Sequence, residues 1–372
     1  MNKRITPPFR ADQVGSLIRP DALRDMRRAF LKGEVARDRL REVEDACIRD
    51  VVALQERIGL QAITDGEFRR TSFREGLFEH VDGFSKERYE TDFAFTYQNG
   101  VVRRATPVPK VVSRLKRREG IATEEFGFVR RLTDATVKIC LPAPSVVHWF
   151  IGDAALSQGV YASARDYMAD VAAIYRAELA ELAALGCTYV QFDEVAIPIM
   201  CDPAVQEIIA QRGENHLDLV DLYVDAVNEA IRDRPAGMTA CIHMCRGNEG
   251  VAGMGSGGYD PIAERVFGRL AVDGYLLEYD TPRAGDFEPL RYMPRDKIVA
   301  LGLISTKERA LEPIDELRRR VEEASTYVDM DRLCLCPQCG FASAFHYDRF
   351  TLADQERKLA HLVAAAAAIW QS

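Results

Sequence analysis

Two spacings of apolar residues alternate along the chain. Short apolar runs are followed by longer stretches in which apolar positions recur every three or four residues. The first pattern fits strands and the second fits amphipathic helices. The helical spacing predicts helices over about 21–32, 36–59, 163–185, 216–233, 261–270, 312–328 and 353–370. In DYMADVAAIYRAELAELAALGC the apolar residues hold one helical stripe, and Gly186 supplies a C-terminal stop. Between the helices lie strand-like runs at Gln13–Ser16, Gln61–Thr64, Thr136–Leu141, Thr188–Phe192, Thr239–Ile242, Gly274–Leu277, Lys297–Ile304 and Arg332–Leu335. Eight such runs alternating with helices is the count of a (β/α)8 TIM barrel. Residues 1–372 are therefore expected to form a single barrel.

One stretch breaks the repeat. Residues 80–132 separate the second and third runs and are long, charged and partly aromatic. FAFTYQNGVVRRATPV predicts a hairpin turned at Asn99-Gly100, and PKVVSRLKRREG is basic. The region is expected as an inserted hairpin and loop region near the barrel mouth. It is there either to cover a substrate or attract an anionic tail, or simply as a solvated surface arm. GVAGMGSGGYDP reads as a flexible loop at the site, and its glycines follow neither the dinucleotide nor the P-loop pattern.

Composition narrows the partners. Hydrophobic residues make up 47% of the 372, enough for a large core. A net charge of −8 disfavours a generic nucleic-acid binder. No run approaches the roughly 20 apolar residues of a membrane span, and the N-terminus lacks the apolar core of a secretory signal. The expected location is cytoplasmic. The nine cysteines, an odd and scattered set, read mostly as small core residues of a reducing compartment. The exceptions should be those with a His or acidic companion.

The residues following each strand carry the chemistry, because the C-terminal strand ends of a barrel share one mouth. They include Gly15-Ser16, Asp65-Gly66-Glu67, Asp193-Glu194, His243-Met244-Cys245, Glu278-Tyr279-Asp280, Ser305-Thr306-Lys307 and CPQCG at 336–340. Solvated loops account for Asp and Ser; they do not readily account for His, Cys and Glu on the fifth, sixth and eighth ends. His243 and Cys245 sit at i and i+2 and share one strand face. With Glu278 and one late cysteine they form a candidate Zn2+ site of imidazole, thiolate and carboxylate. Cys339 is the favoured fourth ligand, beside Gly340, with Cys336 as the rival; a local knuckle through His346 is a further alternative. Thiolate-rich zinc suits holding a substrate thiol as its thiolate, which then attacks an alkyl carbon. Glu67 and Asp193 are candidates to hold a cationic amino group, with Asp65 and Glu194 their neighbours. Trp149 can stack on a flat heterocycle, or be core.

In order along the chain, FRADQVGSLIRP, TDGEFRR, LPAPSVVHW, QFDEVAIP, HMCRGN, LEYDTPRAGDFEPL, ALGLISTK and CPQCGFAS resemble the catalytic half of cobalamin-independent methionine synthase, and more closely its short single-barrel relatives. The resemblance spans nearly the whole chain. It implies a (β/α)8 barrel with catalytic zinc on His243, Cys245, Glu278 and Cys339, and methyl transfer to homocysteine sulfur. It also implies Gly15 and Ser16 at the amino-acid carboxylate, Glu67 and Asp193 at the amino group in a substrate-binding and catalytic role, and Trp149 against the pterin of a methylfolate. The chain departs from the full-length enzymes in lacking their extra N-terminal barrel. It has Ser305-Thr306-Lys307 where they carry a His, and RRATPVPKVV only loosely echoes the folate-side segment. The expected activity is thus an S-methyltransferase forming methionine from homocysteine and a methyl donor. The alternatives are a thiol alkyltransferase of the epoxyalkane:coenzyme M type, for which Arg19, Arg69 and Arg70 would serve a sulfonate, and a non-catalytic zinc- or thiol-binding protein. The pattern fixes no oligomeric state; a homodimer is the working expectation.

Overall fold

The computed structural model describes residues 4–89, 94–96, 102–104, 107–151, 159–249, 252–346 and 350–370. Its centre is a seven-stranded parallel sheet. In order across the sheet the strands are Ala62–Ile63, Thr136–Pro142, Tyr189–Glu194, Thr239–Met244, Gly274–Glu278, Ile298–Ile304 and Leu333–Pro337. Chain order and sheet order coincide, as successive right-handed β-α-β crossovers require. Seven of the eight predicted strands are present within a residue or two at most ends.

The exception is the first. Gln13–Ser16 forms no ladder strand; the segment meets the last strand through a parallel bridge between Ala11 and Leu335. Its polar groups are spent elsewhere. Gln13 Nε2 donates to the Ala62 carbonyl at 3.1 Å, and Asp12 takes Lys138 Nζ at 2.9 Å and Tyr189 OH at 3.0 Å. A segment that satisfies its backbone and side chains one at a time leaves no regular ladder to detect.

Helices pack on the outer face. The long helix Ala164–Ala184 shows why they form. Ser163 caps it by accepting from Asp166 N at 3.1 Å, and Gly186 ends it at φ +95°. Tyr167, Val171, Ile174, Tyr175 and Leu182 are among the residues it buries. Within the curl of the sheet a second apolar group forms from Phe9, Val14, Ala62, Tyr189, Cys241, Leu276, Ala300, Cys334 and Cys336. Pro203–Gln211 was legible but missed: Asp202 caps Ala204 N at 2.9 Å and Pro203 opens the helix.

Between the first two sheet strands, Val81–Tyr89 pairs antiparallel with Val108–Arg117, and Ala94–Thr96 with Val102–Arg104. Asn99-Gly100, the expected turn, lies outside the described residues. The arm is not a simply solvated one. Val108, Val111 and Leu115 are buried, and Leu115 N donates to Tyr161 OH at 2.7 Å. Its basic character is also largely consumed: Arg88 pairs with Glu75, Arg114 with Asp170, Arg117 with Glu178 and Glu181, and Arg118 with Asp82 and Glu119.

Candidate metal centre

Parity along the strands decides what faces the interior of the sheet. Lys138 and Cys140, then Gln191 and Asp193, then Cys241 and His243 alternate inward on three neighbouring strands. The parallel register puts Cys140 beside Gln191 and Asp193 beside His243. Cys245 follows its strand, and its N–H donates to the Glu194 carbonyl at 3.3 Å. Cys339 lies in the turn after the last strand. That turn is pinned at both ends by Gln338 N to the Ile304 carbonyl at 2.8 Å and Phe341 N to the Ser16 carbonyl at 2.9 Å.

One ligand atom each from His243, Cys245 and Cys339 lie within 4.8 Å of one another, and all three residues are buried. His243 Nδ1 hydrogen-bonds the Leu276 carbonyl at 3.1 Å. Carbonyls only accept, so Nδ1 carries the proton and Nε2 holds the lone pair. That Nε2 is buried and meets no oxygen or nitrogen; its neighbour is the Cys339 sulfur. An imidazole oriented by a backbone carbonyl, with its free nitrogen among two sulfurs, is a donor set that fits zinc. The two thiols act as a pair. A hydrogen bond from Cys245 pulls Cys339 well below the usual thiol range, against burial and with help from His243, while Cys245 is pushed up. Cys336, the rival ligand, lies in the apolar group inside the sheet, with its sulfur on the Ala300 carbonyl.

Glu278 stands outside this trio. Its Oε2 accepts from Arg246 N at 2.8 Å, and its Oε1 takes Lys307 Nζ at 3.0 Å and the guanidinium of Arg283. Burial resists the charge, yet Lys307, Arg283 and Arg246 outweigh it and bring the carboxyl down to about 2. Lys307 also meets Asp280, at 3.1 Å. The structure thus gathers three of the four expected ligands and holds the fourth, ionised, close enough to act electrostatically on both cysteines.

Next to the trio is a second group. Ligand atoms of Glu67, Cys140 and Asp193 also lie within 4.8 Å of one another. Glu67 has φ +60°, a left-handed backbone uncommon for a residue with a side chain. It is held there by Arg19, which donates to the carbonyls of Glu67, Arg70, Leu17 and Ala342 and so ties three strand-end loops together. Burial, with Asp193 and Asp65 adding to it against Arg70 and Arg19, pushes the Glu67 carboxyl up to about 8. Burial pushes Asp193 up to about 6, opposed by His243 and by Gln191, which donates to Oδ1 at 2.7 Å. Gly15, at φ +129°, borders this pocket; a Cβ there would collide with Cys140 Sγ.

The remaining expected residues fall nearby in different roles. Ser16 is buried, and its hydroxyl fills the space beside Gly340. Asp65 Oδ1 accepts from Glu67 N at 2.8 Å and so serves the turn. Glu194 accepts from Ser145 and from Ile197 N, bracing two helix starts, and burial raises it to about 7. Trp149, on the helix Pro144–Ile151, is 3% exposed, which leaves almost none of its ring open. Sequence reasoning passed over Cys140 and Arg283, and considered Arg19 only as a partner for a sulfonate. Strand parity with Lys138 marked Cys140 as inward-facing; nothing in the pattern marked Arg283 or the loop-tying role of Arg19.

The fold and site are those of a parallel α/β sheet whose strand ends gather an imidazole, thiols and carboxyls into candidate metal-ligand groups. The chain belongs to the cobalamin-independent synthase catalytic-domain family, whose profile matches residues 9–367. It is 36% identical to the uncharacterized protein YxjG of Bacillus subtilis over 374 residues, covering 99% of this chain and 97% of that one. It is 25% identical to the methionine synthase of Pyrococcus abyssi over 330 residues, covering 88% and 84%. A crystal structure from Listeria monocytogenes, 28% identical, superposes with a TM-score of 0.73 over 98% of both chains. Among the described residues no helix is long and apolar enough to cross a membrane.

Proposed function

We propose that this protein is a zinc-dependent S-methyltransferase that moves a methyl group from a methyl donor to the sulfur of homocysteine, forming methionine. One observation carries the reading: the soft donors of His243, Cys245 and Cys339 converge beside the buried carboxyl of Glu67 and the half-buried carboxyl of Asp193. Zinc would be held by those three residues with Glu278 as the fourth. When bound it supplies a site at which a substrate thiol is kept as thiolate at neutral pH.

The chain's own residues do the orienting. Glu67 is buried and Asp193 half-buried, and removal from water raises both carboxyls against the pull of nearby cations. A substrate ammonium placed between them adds positive charge and draws both carboxyls back to the ionised form. This fixes one end of an amino-acid thiol while the sulfur reaches the metal. The backbone at Gly15-Ser16 borders the same pocket and is the expected seat of the substrate carboxylate. Closure of the sheet into a full (β/α)8 barrel is part of this reading. It is supported by Asp12 N to the Leu335 carbonyl at 2.9 Å on one side, and by Leu17 N to the Gly66 carbonyl at 3.1 Å on the other.

A sulfonate-bearing thiol suits the pocket poorly. Arg19 is committed to four carbonyls, Arg70 to the Cys140 carbonyl, and Arg69 to Asp45 and Glu124. The test is zinc-loaded protein incubated with homocysteine and, in turn, methyltetrahydrofolate, its polyglutamate and methylcobalamin, with methionine measured. Zinc-dependent methionine formation is the expected result; none with every donor overturns the reading.

A further inference from the structure

An ammonium pocket needs carboxylates; it has no need of a thiol. Yet Cys140 Sγ lies within 4.8 Å of ligand atoms of both Glu67 and Asp193. The chain is built around that sulfur: Gly15 takes a left-handed backbone with no room for a Cβ beside it. The thiol donates to the Val14 carbonyl at 3.2 Å and stays protonated, burial and Asp193 raising it well above the usual range.

We propose that Glu67, Cys140 and Asp193 form a second cation site, selective for thiophilic divalent ions such as Zn2+ or Cd2+ and separate from the trio at His243. Three observations support it. The donor atoms lie within 4.8 Å of one another, and tetrahedral zinc holds O and S donors roughly 3.4–3.8 Å apart, so side-chain rotation of about 1 Å or less would complete the site. Glu67 Oε2 is buried without any hydrogen-bond partner, on a residue only 3% exposed, and an orphaned carboxylate oxygen is costly unless a cation meets it. The local charge also leans negative. Asp193, Asp65, Glu125 and Glu67 itself are four carboxyls, set against the guanidiniums of Arg19 and Arg70 and the ammonium of Lys138. Binding at neutral pH would displace two protons to solvent, one from the Cys140 thiol and one from the Glu67 carboxyl, and leave thiolate and carboxylates on the metal. With one sulfur and two oxygens the site is harder than the trio. If the proposed function holds, occupancy also excludes the substrate's amino group.

The test uses untagged full-length protein, stripped with chelator and titrated anaerobically with Cd2+. Bound metal is counted after ultrafiltration, and Cd–thiolate bonds by their ultraviolet charge-transfer absorbance. The wild type is expected to bind two Cd2+ per chain. Cys140→Ser and Asp193→Asn should each bind one, Cys140→Ser without loss of the absorbance from Cys245 and Cys339. Cys245→Ser should lose much of that absorbance yet retain the Cys140 contribution. A wild-type count of one, or a count of two in Cys140→Ser, overturns the proposal. Methionine formation by protein carrying one zinc tests the proposed function independently, so the two can fail separately.

Discussion

Replacing Glu67 with Gln should make the protein more stable and a worse binder of its substrate at once. Glu67 titrates near 8 in the folded chain, against about 4.3 for an unperturbed glutamate. Between those values the folded state binds more protons than the unfolded one, so stability falls as pH rises. Asp193, near 6, and Glu194, near 7, titrate in the same window in both proteins, so the difference between wild type and variant from pH 6 to 8 isolates Glu67. Two pH units at 1.36 kcal/mol each give a further loss of about 2–3 kcal/mol in the wild type. Gln, nearly isosteric and uncharged, should not show it. For 372 residues that corresponds to roughly 3–4 °C of Tm. Thermal unfolding of both proteins from pH 5.5 to 8.5 measures the difference. Homocysteine should narrow it, because a bound ammonium stabilises the charged carboxylate. In turnover, loss of one charge-assisted hydrogen bond, about 1.5–3 kcal/mol, should raise KM for homocysteine roughly 10- to 150-fold. Identical pH slopes for the two proteins, or an unchanged KM, would refute the assignment of Glu67 as an uncompensated carboxylate awaiting a cation.

Three other substitutions separate neighbouring roles. Gly15→Ala places a Cβ on the Cys140 sulfur at φ +129°; it should lower stability by about 1–3 kcal/mol, read from chemical denaturation, and abolish methionine formation. Cys336→Ala should cost roughly 1 kcal/mol of packing and leave zinc stoichiometry unchanged, whereas Cys339→Ala should release most of the zinc, as elemental analysis after dialysis will report.

The alternation of strand and helix was legible because each element obeys one period and buries one face. The helix of residues 164–184 and the strand of 239–244 are clear examples. The segment at Gln13–Ser16 was not legible as it is, since its partners are side chains far away in sequence, such as Lys138. At the site, His243, Cys245 and Cys339 could be read from residue type and position after a strand. The state of Glu278 could not. Its grip by Arg246, Arg283 and Lys307 joins three different strand ends, and no spacing rule encodes that. Cys140 was hidden by its own chemistry, since a buried cysteine on a strand looks like core until the carboxylates facing it are known.

The central claim is that the sulfur of an amino-acid thiol enters the metal shell formed by His243, Cys245 and Cys339. X-ray absorption at the zinc edge, on protein carrying one equivalent of zinc, addresses it directly. The account predicts two sulfur neighbours in the free protein and three once homocysteine is added. A sulfur count that stays at two with saturating homocysteine would contradict it.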